Sequence, residues 1–102
     1  MEKKYFFLRL NPVRADFIQT MTDEEKGIMT RHALYWREFQ LRGKLVVYGP
    51  VMDPAGAFGM GVAVVDGEEE LKAFIAGDPA LTLSTIDHFP MKAVLVDSPF
   101  PG

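Results

Sequence analysis

The chain has 102 residues, 48% of them hydrophobic and 25% charged. Those proportions suit one globular domain with a single core and exclude a disordered tail protein. Lys and Arg number 11 against 14 Asp and Glu, a formal charge of −3, so nucleic acid is not an expected partner: a phosphate-backbone binder needs a basic surface. The absence of cysteine excludes disulfides, thiol nucleophiles and thiolate metal sites.

The apolar run that opens at Tyr5 is ended by Arg9, too short for the core of a signal peptide. The longest uncharged stretch, Pro54 to Val65, is too short to cross a bilayer. The expectation is a soluble, cytoplasmic protein without a membrane partner. Lys4–Leu10 reads as a strand, with Phe6, Leu8 and Leu10 on one face and Tyr5, Phe7 and Arg9 on the other. Asn11-Pro12 is expected to break it. Residues 11–21 then read as an irregular connection whose Phe17, Ile18 and Met21 fold it down onto the domain.

Thr22-Asp23-Glu24-Glu25 has the form of a capping box. It predicts a helix from Asp23 to Leu41, stopped at Gly43 in the left-handed conformation. At 100° per residue, Ile28, Met29, His32, Tyr35, Trp36 and Phe39 share its apolar side. Leu45–Tyr48 is a second strand, closed by Gly49-Pro50. Phe58–Val65 is a third, with Phe58, Met60, Val62 and Val64 on one face and Gly59, Gly61, Ala63 and Val65 on the other. The glycine face admits close approach by a ligand or another backbone. Glu68–Ala76 is a short helix ended by Gly77 and by Asp78-Pro79. Ile86–Val96 reads as the last strand, with Pro90 at an edge, bend or bulge, and residues 97–102 as an extended tail.

Strand, helix, strand, strand, helix, strand is the ferredoxin-like βαββαβ order, an α+β fold with one antiparallel sheet and two helices on one face. The first and last strands are apolar on both faces, and two helices cover only one. A second copy of the same sheet would cover the other, so a homodimer is expected. The rival is a monomer in which residues 11–21 and the tail cover that face.

His32 is one of only two histidines and lies on the apolar side of the long helix. It reads either as a core histidine with one satisfied nitrogen or as a general acid or base. A buried imidazole needs a partner to fix its tautomer, as in triad logic. Asp78 is the best candidate partner, although Asp-Pro after Gly is also a plain helix stop, and composition does not tell it from Asp53-Pro54, which reads as a turn. His88 on the last strand reads as an edge residue or as a liner of the same cavity. A metal site of His32, His88 and a carboxylate has no supporting ligand spacing. Arg9 reads either as a holder of a substrate carboxylate or as a salt bridge across the dimer. Tyr35 and Trp36 read as core, interface or ring-binding wall, and the methionines as gap fillers.

The run Arg31-His32-Ala33-Leu34-Tyr35-Trp36, followed by Gly43-Lys44-Leu45-Val46-Val47-Tyr48-Gly49-Pro50, resembles the YciI-like (YCII-related) family. So do Gly77-Asp78-Pro79-Ala80 and Pro90-Met91. The resemblance spans Tyr5 to about Val96; the connection at 11–21 is longer than in short bacterial members. It implies a dimeric α+β barrel and a His/Asp pair that maps onto His32 and Asp78. It also implies architectural similarity to small cofactor-independent enzymes acting on products of aromatic-ring breakdown, with dehydrochlorinase-type lyase activity known in the family.

The expectation that results is an enzyme with no cofactor and no metal. His32, oriented by Asp78, moves a proton during isomerisation or elimination on a small, aromatic-derived acid. Trp36, Tyr48 and Phe58 are the candidate walls, and Arg9 the candidate anion holder. The alternatives are a module of the same fold that binds a small ligand without chemistry, and a plain dimerisation domain.

Overall fold

The computed structural model describes residues 2–97. Its elements are β1 (Lys4–Pro12), α1 (Phe17–Thr20), α2 (Asp23–Leu41), β2 (Leu45–Val51), β3 (Phe58–Val65), α3 (Glu68–Ala76), a 3₁₀ turn (Pro79–Thr82) and β4 (Ser84–Met91). The four strands form one antiparallel sheet in the order β2-β3-β1-β4. This is the ferredoxin-like α+β arrangement, with the helices on one face.

The capping box forms in full. Glu25 N–H donates to Thr22 Oγ1 at 3.1 Å, and Thr22 N–H donates to Glu25 Oε1 at 2.9 Å. Three acidic residues in this first turn also suit the positive end of the helix dipole. Gly43 takes φ +78° and stops α2. Gly77 ends α3 for a different reason. Its backbone stays right-handed at φ −89°, and a Cβ there would run into the Tyr35 hydroxyl.

Phe6, Leu8 and Leu10 are buried beneath the helices with Trp36, Phe39, Leu71 and Phe74, while Tyr5, Phe7 and Arg9 face the other way and stay half-exposed. The glycine face of β3 is the one under the helices. Trp36 fills it: a Cβ on Gly61 would lie 2.6 Å from Trp36 Cζ3, so only glycine admits the indole.

Four expected boundaries are corrected. Asn11-Pro12 does not break β1, because Asn11 pairs with Thr85 and Pro12 with Ser84 at the strand's end, where the missing N–H of proline is tolerated. Gly49-Pro50 does not close β2, which runs to Val51 along the sheet edge, again a place that accepts proline. The last strand starts earlier than expected, at Ser84, and ends at Met91 rather than Val96. Met91 faces Tyr5, β1 begins only one residue before that, and among the described residues β4 pairs with no other strand. Finally, the 11–21 connection is not wholly irregular, since it holds the end of β1 and α1. Of the extended tail expected at 97–102, residues 98–102 lie outside the described residues, and Asp97 is in a turn.

Candidate functional site

Asp78 sits where α3 gives way to the 3₁₀ turn. Its backbone is extended, at φ −74° and ψ 123°, as a residue before proline prefers. It caps the turn by accepting from Ala80 N–H on Oδ1 at 2.8 Å. That cap turns the carboxylate toward α2, where its side chain is fully buried.

Two ring nitrogens of α2 meet it there. His32 Nδ1 lies 2.9 Å from both carboxylate oxygens, and Trp36 Nε1–H donates to Oδ2 at 2.6 Å. A carboxylate accepts only, so its position places a histidine hydrogen on Nδ1; in the neutral imidazole the lone pair is then on Nε2. The two rings pack at a centroid distance of 5.0 Å. Nearby, burial first and the Asp78 charge second push the Tyr35 phenol up, and Tyr35 O–H donates to Phe74 O at 2.7 Å. Among the described residues, every buried side-chain nitrogen or oxygen has a partner.

His32, 13% exposed at its side chain, borders a partly open cavity of about 300 Å³. The cavity lies between α1, the middle of α2, and the adjoining ends of β2 and β3. Trp36 and Tyr48 line it, Phe58 borders it while its ring stacks on the Arg9 guanidinium, and Tyr48 O–H reaches Ala33 O at 3.4 Å. Phe17, Ile18 and Met21 roof it. The apolar content of the 11–21 connection was the only signal in the sequence for that roof.

Arg9 and His88 do not line this cavity. Arg9 is on the opposite face of the sheet, because odd positions of β1 point away from the helices. Its guanidinium stacks 3.7 Å from the centre of the Phe58 ring, and its Nε–H donates to Asn11 Oδ1 at 2.8 Å. His88 is on β4, across β1 from the strands that frame the cavity. It is edge-on to Phe6 and 3.1 Å from Glu68. No group of three His, Asp or Glu side chains assembles among the described residues. No helix among them is long and apolar enough to cross a membrane.

No family model and no curated protein matches the chain. Several solved structures do. The dehydrochlorinase TftG of Burkholderia phenoliruptrix, which acts on 5-chloro-2-hydroxyhydroquinone and was solved with 2,5-dihydroxybenzoquinone, is 18% identical over 85% of this chain and 93% of its own, with a TM-score of 0.61. The uncharacterised protein TM1266 of Thermotoga maritima is 12% identical over 89% and 100%, with a TM-score of 0.58. SnoaB, a cofactor-independent oxygenase of Streptomyces nogalater, is 16% identical over 94% and 97%, with a TM-score of 0.50. The chain has the fold of the dimeric α+β barrel proteins. At such identities the likeness establishes architecture, and chemistry has to be argued from the site.

Proposed function

We propose that the chain is a cofactor-independent enzyme of the YciI-like type that moves a proton on a small molecule held in the apolar cavity. One observation carries the reading: His32 Nδ1 is 2.9 Å from a fully buried carboxylate at the edge of that cavity. With Nδ1–H held by Asp78, Nε2 accepts a proton from the bound ligand, and the carboxylate faces the imidazolium that forms. Returning the proton to a different ligand atom completes an isomerisation. Loss of an anionic leaving group from the deprotonated ligand completes an elimination, and the proton left on His32 passes to solvent. Both balance without a co-reactant. The dehydrochlorinase activity in TftG's name and the cofactor-independence in SnoaB's support the class of chemistry.

The test is turnover of hydroxylated aromatic compounds, followed by mass spectrometry, in wild type and in His32→Gln. A loss of about 10²–10⁴-fold is expected for an acid–base group; a loss within about threefold would end the proposal.

A second reading has its own support. Two of the donors on Asp78, Ala80 N–H and Trp36 Nε1–H, serve a turn and a core ring. They suit a binding module in which His32 is simply satisfied. Tight ligand binding without product, and equal affinity in Asp78→Asn, would favour it.

The homodimer belongs to the same proposal. Cross-strand rows on the face away from the helices read Met91–Tyr5–Val64 and Phe89–Phe7–Val62–Val47, and none of these side chains is buried. The 11–21 connection does not cover them, since Phe17, Ile18 and Met21 face the cavity beside α2. A two-fold partner presenting the same rows covers a patch that soluble monomers seldom expose.

A further inference from the structure

We infer that the cavity is charge-selective: it takes an uncharged compound of one or two rings and rejects carboxylates. The inference rests on the proposal that this cavity is the ligand site, and it replaces the aromatic acid expected from the sequence with a neutral ring compound.

Among the described residues, the titratable side chains on the cavity wall are His32 and the phenol of Tyr48. No lysine or arginine among the described residues lines it. Arg9 is behind the sheet, stacked on Phe58 and bonded to Asn11. Arg14, the cation nearest the roof in sequence, is spent on Glu25 at 2.8 and 3.0 Å and on Thr20 at 2.8 and 2.9 Å. Lys26 and Arg31 are on the exposed side of α2. A carboxylate entering the cavity would therefore give up its water for an apolar wall with no lysine or arginine to pair with. It would also meet the negative field of Asp78, which stands directly behind the imidazole.

The wall suits a ring instead. Met21 and Met29 line it with Phe17, Trp36 and Tyr48. Thioethers and aromatic edges make favourable contacts with ring faces and adjust to their outline. An apolar cavity of about 150 Å³ takes benzene, so about 300 Å³ takes one ring or two. The ligand's polar group, a neutral hydroxyl, then meets His32 Nε2.

The test is calorimetric titration at pH 7 with 2-naphthol and 2-naphthoate, which share a ring system and differ in charge, since a phenol is neutral there and a carboxylic acid is ionised. The naphthol is expected to bind at least about tenfold more tightly. Equal affinity, preference for the naphthoate, or no binding of either up to about 1 mM would each overturn the inference. Ala33→Lys, at an exposed helix position beside the cavity, is expected to narrow or invert the preference. Met29→Lys tests the same point from a second position. A preference unmoved in both variants would show that the missing cation is not its cause. These readouts are of binding alone. Turnover that survives His32→Gln leaves this inference standing, and failed charge selection leaves the acid–base proposal standing.

Discussion

Trp36 and His32, four residues apart on α2, give their ring N–H groups to the same carboxylate, that of Asp78, at 2.6 and 2.9 Å. One helical turn separates the donors, so both rings reach a single point below the helix. The carboxylate is held there by the turn it caps. Asp78 therefore ties α2 to the connection after α3 and fixes the histidine at the cavity's edge in one act.

That convergence predicts an ordered mutational series. Asp78→Ala strands His32 Nδ1–H, Trp36 Nε1–H and Ala80 N–H without an acceptor and should cost about 3–5 kcal/mol. Trp36→Phe removes one charge-assisted bond while the carboxylate keeps two donors, and should cost about 1.5–3 kcal/mol. Urea unfolding measures both. Equal losses would mean that the three donors do not share the carboxylate in the way described.

The indole also sets a steric prediction. Gly61→Ala puts a methyl 2.6 Å from Trp36 Cζ3, so the ring or β3 must move, at a cost of about 1–3 kcal/mol. The protein has one tryptophan, so its fluorescence reports the shift directly. Gly49→Ala, where nothing lies within 4 Å of the new Cβ, serves as the control and should stay within about 0.5 kcal/mol.

These same residues mark what was legible in the sequence. The capping box, the glycine stop at 43 and the alternation of β3 are local patterns, and α2, β3 and α3 came out with the expected bounds. The ends of β1, β2 and β4 are set by which strand lies alongside, and local sequence carries no record of that. His32 was a candidate because a titratable group on an apolar helix face is visible as a residue type; Asp78-Pro79 looks like Asp53-Pro54, and the resemblance to the YciI-like family is what singled Asp78 out. The indole bond to Asp78 was not, since nothing in Trp36 distinguishes a core ring from a donor. Arg9 was assigned to the correct face of its strand, but the cavity lies on the other one.

If the open sheet face is a dimer interface, one charge placed on it should separate the subunits. Phe89, 51% exposed, packs beside Phe7 at a ring distance of 6.5 Å and contributes little to the core. Phe89→Glu should therefore leave the fold intact and shift sedimentation from dimer to monomer, because a carboxylate would be buried against the partner's apolar rows. A wild type that sediments as a monomer at all concentrations would refute the assembly.

The cavity roof should respond to acid. Arg14 binds Glu25 through both terminal nitrogens and reaches Thr20 as well, which fastens α1 to the first turn of α2. Its guanidinium, followed by the Thr22 N–H, holds the Glu25 carboxyl at about 2, against an ordinary 4.5. A carboxyl depressed by folding stabilises the native state above its unfolded value. That contribution fades as pH falls from about 4.5 toward 2 and is absent below. Wild type should accordingly melt above Glu25→Gln at pH 6, and the two melting curves should converge between pH 4.5 and 2. Because Phe17, Ile18 and Met21 ride on the same tether, Glu25→Gln should also weaken 2-naphthol binding at pH 6. A variant that loses thermal stability while keeping full affinity would separate the tether from the roof.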